Sequence, residues 1–135
     1  MIYPEQFILA ARAYVDAETP FMHQGRGLHG LDCIGLIVVA ARQIGISIGD
    51  RTDYPRDPNG LLQPALTSQM LAVDHWMPGD VLLMRFGTEP QHVGIFTGTT
   101  LIHAYSSARK VVEHRIDARW SRRVVYAYRF LEFCR

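Results

Sequence analysis

The apolar residues change period at Asp80, and that change leaves few architectures open to the chain. Before it they recur at helical spacing; beyond it, short apolar runs alternate with turn residues. Residues 4–17 predict a first helix, with Pro4 in its first turn, Phe7, Ile8, Ala11, Tyr14 and Val15 on its apolar face, and Thr19-Pro20 as its stop. A second helix follows Asp32-Cys33, carrying Leu36, Ile37, Val39, Ala40, Ala41 and Ile44, with Asp32 as N-cap and Gly45 as the C′ stop. The polar stretch from Gly49 to Gly60 is a surface loop, and residues 61–72 predict a helix beginning near Pro64. Strands are predicted over Val81–Phe86, His92–Thr97, Leu101–Ser106, Val111–Arg115 and Val124–Phe130, with a helical turn at Asp117–Arg122. Helices first and antiparallel strands second make an α+β chain, its N-terminal helices packed on a central sheet of about five strands.

With 135 residues the chain predicts one domain, 1–135, large enough for a core without staples. A net charge of +1 without a basic run excludes electrostatic capture of nucleic acid or an anionic membrane. The first residues carry Glu5 and an interrupted apolar pattern, so they read as neither a signal peptide nor a transmembrane span. Two cysteines without a CxxC pair make neither a disulfide framework nor a metal knuckle. The expectation is a chain made in a reducing compartment, with no membrane insertion.

A cysteine on an apolar helix is by default a small core residue. Cys33 differs in lying at the helix start, reached through a loop with Gly25, Gly27 and Gly30 that can bring backbone close to a ligand. Unpaired N–H groups and the positive end of the helix dipole favour a thiolate there. The thiol is therefore expected to titrate below the usual value of about 8.5, and to be alkylated near neutral pH ahead of Cys134.

His92 opens one strand and His103 lies in the next. About a turn at Gly98–Thr100, opposed residues sum to roughly 197, which puts His92 near Tyr105 and one diagonal step from His103. A slip of one residue would send the two rings to opposite faces. If they share a face, Cys33 is a nucleophile, His92 the base and acid that serves it, and His103 the group that orients His92. The pair has no third and fourth ligand at metal-site spacing, so no metal and no cofactor is expected. His23, His29, His75 and His114 fall in loops or at strand ends and read as solvated.

Asp32-Cys33-Ile34-Gly35-Leu36, Pro78-Gly79-Asp80-Val81, His92-Val93-Gly94-Ile95-Phe96-Thr97-Gly98 and Ile102-His103-Ala104 occur in this order. Together they resemble the NlpC/P60 family of papain-like cysteine peptidases, from about Phe21 to Tyr128. His23-Gln24-Gly25-Arg26 resembles the phage-encoded branch of tail-associated cell-wall peptidases. The resemblance implies a cysteine endopeptidase of peptidoglycan stem peptides, cutting between D-γ-glutamate and a diamino acid without a metal. It implies a Cys33-His92-His103 triad, with Asp32 helping to bind the substrate's free amino group. A family tyrosine about a dozen residues before the cysteine is Phe21 here, and Gln24 is the candidate to replace its hydroxyl; Ile34 stands where many members have Ser. The implied setting is a phage or prophage tail, with tail proteins as partners and the host cell envelope as the place of action. The alternatives are a CHAP-like cell-wall amidase and an inactive tail-tip assembly protein.

Overall fold

Val81-Leu82-Leu83-Met84 runs apolar through four successive positions because both faces of its strand are covered. In the computed structural model, which describes residues 1–57 and 59–134, all four side chains are wholly buried. They belong to β4 (Val81–Arg85), inside a six-stranded antiparallel sheet. A two-stranded ribbon, β1 (Arg26–Gly27) and β2 (Gly30–Leu31), precedes it. The sheet's other strands are β3 (Leu71–Val73), β5 (Pro90–Phe96), β6 (Thr100–Tyr105), β7 (Lys110–Arg115) and β8 (Val124–Arg129). Their spatial order is β3-β8-β4-β5-β6-β7. The α+β arrangement holds, with one strand more than the five expected.

Helices α1 (Pro4–Asp16) and α2 (Cys33–Gln43) cover one face of the sheet. Phe7, Ala11, Leu36, Ile37 and Ala40 share a core there with Val81, Leu83, Val93, Ile95 and Ile102. On the other face Trp120, from α4 (Ala118–Arg123), joins Leu82, Met84, Leu101 and Ala127 in a smaller core. Alternation along β4 thus feeds both layers.

The helix ends follow from local chemistry. At the α2 N-terminus the Asp32 carboxylate accepts the Gly35 N–H at 2.7 Å. At its C-terminus Gly45 takes φ +90°, Gly45 N–H donates to the Arg42 carbonyl, and Ile46 N–H donates to the Ala41 carbonyl. That is a Schellman closure with Ile46 buried beneath it. The predicted 61–72 helix is shorter: α3 spans Leu62–Gln69, and residues 71–73 leave it to pair with β8.

The Pro78-Gly79-Asp80 turn closes on a buried ion pair. Asp80 is fully buried, takes Arg129 Nε and Nη2 at 2.8 Å each, and accepts the Met77 N–H at 2.8 Å. The turn thereby ties the start of β4 to the end of β8. Among the described residues no helix is long and apolar enough to cross a membrane.

Candidate active site

Cys33 is the first residue of α2, and the backbone N–H groups of Val93, Ile34 and Cys33 itself face its sulfur. The expectation of an acidified thiol is nevertheless overturned. Cys33 is 9% exposed, and burial, reinforced by the Asp32 carboxylate, pushes the thiol up to about 12. The amides pull the other way and lose, because partial charges at a helix start do not replace the water a thiolate would give up.

His92 and His103 do share a face. Ile95 pairs with Ile102 and Phe96 with Leu101, the expected sum of 197. Carried one residue beyond the Ile95–Ile102 pair, that register sets His103 opposite Gly94 and His92 one diagonal step away. The rings meet with His92 Nε2 and His103 Nδ1 2.6 Å apart. Gly94 makes room for this: a Cβ there would stand 2.6 Å from Leu101 Cδ1 and 3.2 Å from His103 Cβ. The two halves of the site join on β5, whose Val93 amide faces the sulfur and whose His92 side chain enters the histidine pair.

His114, expected to be solvated, is instead a third member. Its Nε2 lies 2.8 Å from His103 Nε2, and its Nδ1 lies 2.8 Å from the Arg115 carbonyl. On β7 the Cα partner of His103 is Val112, which puts His114 on a diagonal of the same face. The three rings run edge to edge, each nitrogen aimed at the next rather than at a common point. Among the described residues no group of three His, Cys, Asp or Glu converges as metal ligands.

Aromatic side chains wall this row. Tyr105 stacks on His103 at 5.1 Å, Trp120 meets His103 edge-on at 4.9 Å and lies tilted to His114 at 5.0 Å, and Phe86 lies 5.1 Å from His92. The Arg123 guanidinium sits 4.4 Å above Trp120 and 5.0 Å above Phe86. Burial, with Arg123 adding to it, pushes His92 down to about 3. Burial and the neighbouring His92, His114 and Arg123 push His103 down to about 2. The Cys33 thiol and the His92 and His103 imidazoles are therefore neutral near pH 7.

Asp32 serves the wall beside the cysteine. Oδ1 accepts the Gly35 N–H and Arg26 Nη1, at 2.7 and 2.9 Å; Oδ2 accepts the Gln24 N–H at 2.8 Å and the Tyr54 hydroxyl. Arg26 also grips Asp50 through Nε and Nη2 and donates to the Tyr54 hydroxyl at 2.7 Å. Gln24, at φ +62°, spends its side-chain amide on the Tyr54 carbonyl at 2.7 Å. Tyr54 was not singled out from the sequence; its one signal is being the lone aromatic in a polar loop. His29 and His75 are exposed, as expected, while His23 is half-buried with its ring edge-on to Tyr54.

A cysteine at a capped helix start, set against a strand whose histidine pairs with one on the next strand, defines a class. The sequence model described as NlpC/P60 family matches residues 18–129, and the chain belongs to that family, whose members are cysteine peptidases. Over 102 residues it is 31% identical to the probable endopeptidase NlpC of Escherichia coli strain K12. That alignment covers 73% of this chain and 60% of the relative, so the chain spans about 60% of the relative's length. The fold is similar to the crystal structure of an NlpC/P60 family protein from Bacillus cereus ATCC 10987, with TM-score 0.75 at 23% identity over 96% of this chain and 41% of that one. It is also similar to the NlpC/p60 domain of the peptidoglycan hydrolase SagA, with TM-score 0.69 at 21% identity over 96% and 100%.

Proposed function

We propose that this chain is a cysteine endopeptidase of peptidoglycan stem peptides, cutting between D-γ-glutamate and a diamino acid. The observation that carries the reading is the 2.6 Å contact of His92 Nε2 with His103 Nδ1, on the strand whose Val93 amide faces the Cys33 sulfur. The names of two similar proteins, a probable endopeptidase and a peptidoglycan hydrolase, support it.

Both reacting groups start neutral, so the Cys33 proton moves to His92 Nδ1 as the sulfur attacks the peptide carbonyl rather than beforehand. Backbone N–H groups at the start of α2 receive the developing oxyanion. The C–N bond then breaks, and the amine leaves with the proton held by His92. Water, deprotonated by the same imidazole, hydrolyses the thioester and restores the thiol. His103 keeps the His92 ring in place throughout.

Asp32 and Gln24 form the end of the cleft that takes the substrate's free amino group. Two carboxylates, Asp32 and Asp50, stand against the single guanidinium of Arg26, which leaves one negative charge to attract an ammonium. The amine is drawn to this network as a whole, since both Asp32 oxygens already accept hydrogen bonds from the chain. The setting we propose is the tail of a phage or prophage, with tail proteins as partners and the host envelope as the place of action. The His23-Gln24-Gly25-Arg26 segment supports it.

Incubation with defined muropeptides, followed by weighing of the products, tests the reading. One water should add at the γ-glutamyl bond, and Cys33→Ala should abolish the reaction, the loss of a covalent nucleophile costing several orders of magnitude. Cleavage at the sugar–peptide link would make the chain an amidase. Cleavage that survives in Cys33→Ala would dismiss the mechanism.

A further inference from the structure

The row of histidines ends on a backbone carbonyl, and a carbonyl can only accept a hydrogen bond. His114 must therefore carry a proton on Nδ1, and in the uncharged form of the ring that leaves Nε2 as an acceptor. His103 faces that acceptor with its own Nε2, at 2.8 Å, so His103 is protonated on Nε2 and its Nδ1 accepts. His92 meets that Nδ1 with Nε2, at 2.6 Å, and must donate there. The one ring nitrogen of His92 left without a proton is Nδ1. Starting from the Arg115 carbonyl, each hydrogen bond dictates the next, and the last leaves His92 holding a free lone pair for the Cys33 proton.

We propose that His114 is a positioning residue, which sets the tautomers of His103 and His92 so that His92 Nδ1 is the base. The role rests on the endopeptidase reading for its purpose, but the proton arrangement stands or falls by itself. Trp120 packs on both His103 and His114 and fixes the geometry of the row. With two histidines alone, His103 Nε2 would have no designated partner, and both tautomers of the pair would be open. A His92 protonated on Nδ1 cannot receive the thiol proton, so every molecule in that form would be idle.

The test begins with the whole chain labelled with ¹⁵N-histidine, whose two ring nitrogens differ in shift according to which one holds hydrogen. His92 and His103 are expected with hydrogen on Nε2 and His114 with hydrogen on Nδ1. His103 or His92 found with hydrogen on Nδ1 would overturn the proposal, whether or not the protein hydrolyses anything. Substitutions then separate positioning from packing. His114→Gln keeps an acceptor oxygen for His103 Nε2–H, whereas His114→Phe keeps the ring against Trp120 and removes the acceptor. On a muropeptide, Phe is expected to lower kcat about tenfold with KM unchanged, and Gln to stay within about threefold of wild type. Phe equal to or better than Gln would show that His114 only fills space, and would sink the proposal. Failure of hydrolysis in the wild-type chain would instead count against the endopeptidase reading and leave the nitrogen shifts to decide this one.

Discussion

At the scale of single residues, the site depends on one side chain that is missing. Gly94 lies against Leu101 and His103, and a methyl group there would press on the Leu101 side chain and on His103 Cβ, beside the two touching imidazoles. Gly94→Ala is expected to cut peptide hydrolysis at least tenfold while costing about 1–3 kcal/mol of stability, as overpacking does. Steady-state kinetics beside urea unfolding would check this, and unchanged kcat would show that the histidine pair tolerates the push. His92 and His103 were legible because a tight turn at Gly98–Thr100 sets the register of their hairpin from sequence. His114 was not legible. The next connection passes through a 3-10 turn, Ser106–Ala108, and through Arg109 at φ +64°, a conformation that a non-glycine residue does not advertise. Without that turn, no register linked His114 to His103.

At the scale of elements, what was missed is what only tertiary pairing decides. Residues 71–73 follow a helix with no breaker between, and they become a strand because β8 offers an edge. The Tyr54 loop is polar and reads as surface, yet it is tied to the α2 cap through Asp32, Arg26 and Gln24. The apolar patterns of α1, α2, β4 and β5 were legible because burial repeats along them. Asp32→Ala removes the cap of α2 and leaves Arg26, with a side chain 17% exposed, short of one carboxylate. The expected loss is about 2–4 kcal/mol in denaturant unfolding, more than a cap alone would cost. Proteolysis should then cut first between residues 50 and 57, the loop those bonds hold. A loss below about 1 kcal/mol would mean that Arg26 and Asp50 hold the wall without Asp32.

For the whole molecule, the buried histidines make folding sensitive to acid. His92 and His103 bind protons only near pH 3 and 2 when folded, but near 6.5 once unfolded. Below about pH 6.5 the unfolded chain therefore holds more protons than the folded one. The stability these two rings allow is present above pH 6.5 and is lost as the pH falls toward 3. Chemical unfolding followed from pH 7 to 5 should show ΔG falling, with uptake of up to about two protons on unfolding. A flat profile across that interval would mean that the rings are already charged in the folded protein.

The state of the resting thiol decides which sulfur meets an oxidant first. Peroxide and related species react with thiolates, and a thiol held near 12 and 9% exposed presents almost none at neutral pH. Cys134, near the C-terminus, is exposed. Dilute hydrogen peroxide should therefore convert Cys134 to sulfenic acid well before Cys33, the reverse of the order expected for an acidified nucleophile, and mass mapping of the two peptides would read it. Early oxidation of Cys33 would mean that its thiol is ionised in solution. For the nucleophile we propose, resting protonation would itself be the protection against oxidants, without a disulfide or a reductant to guard the sulfur.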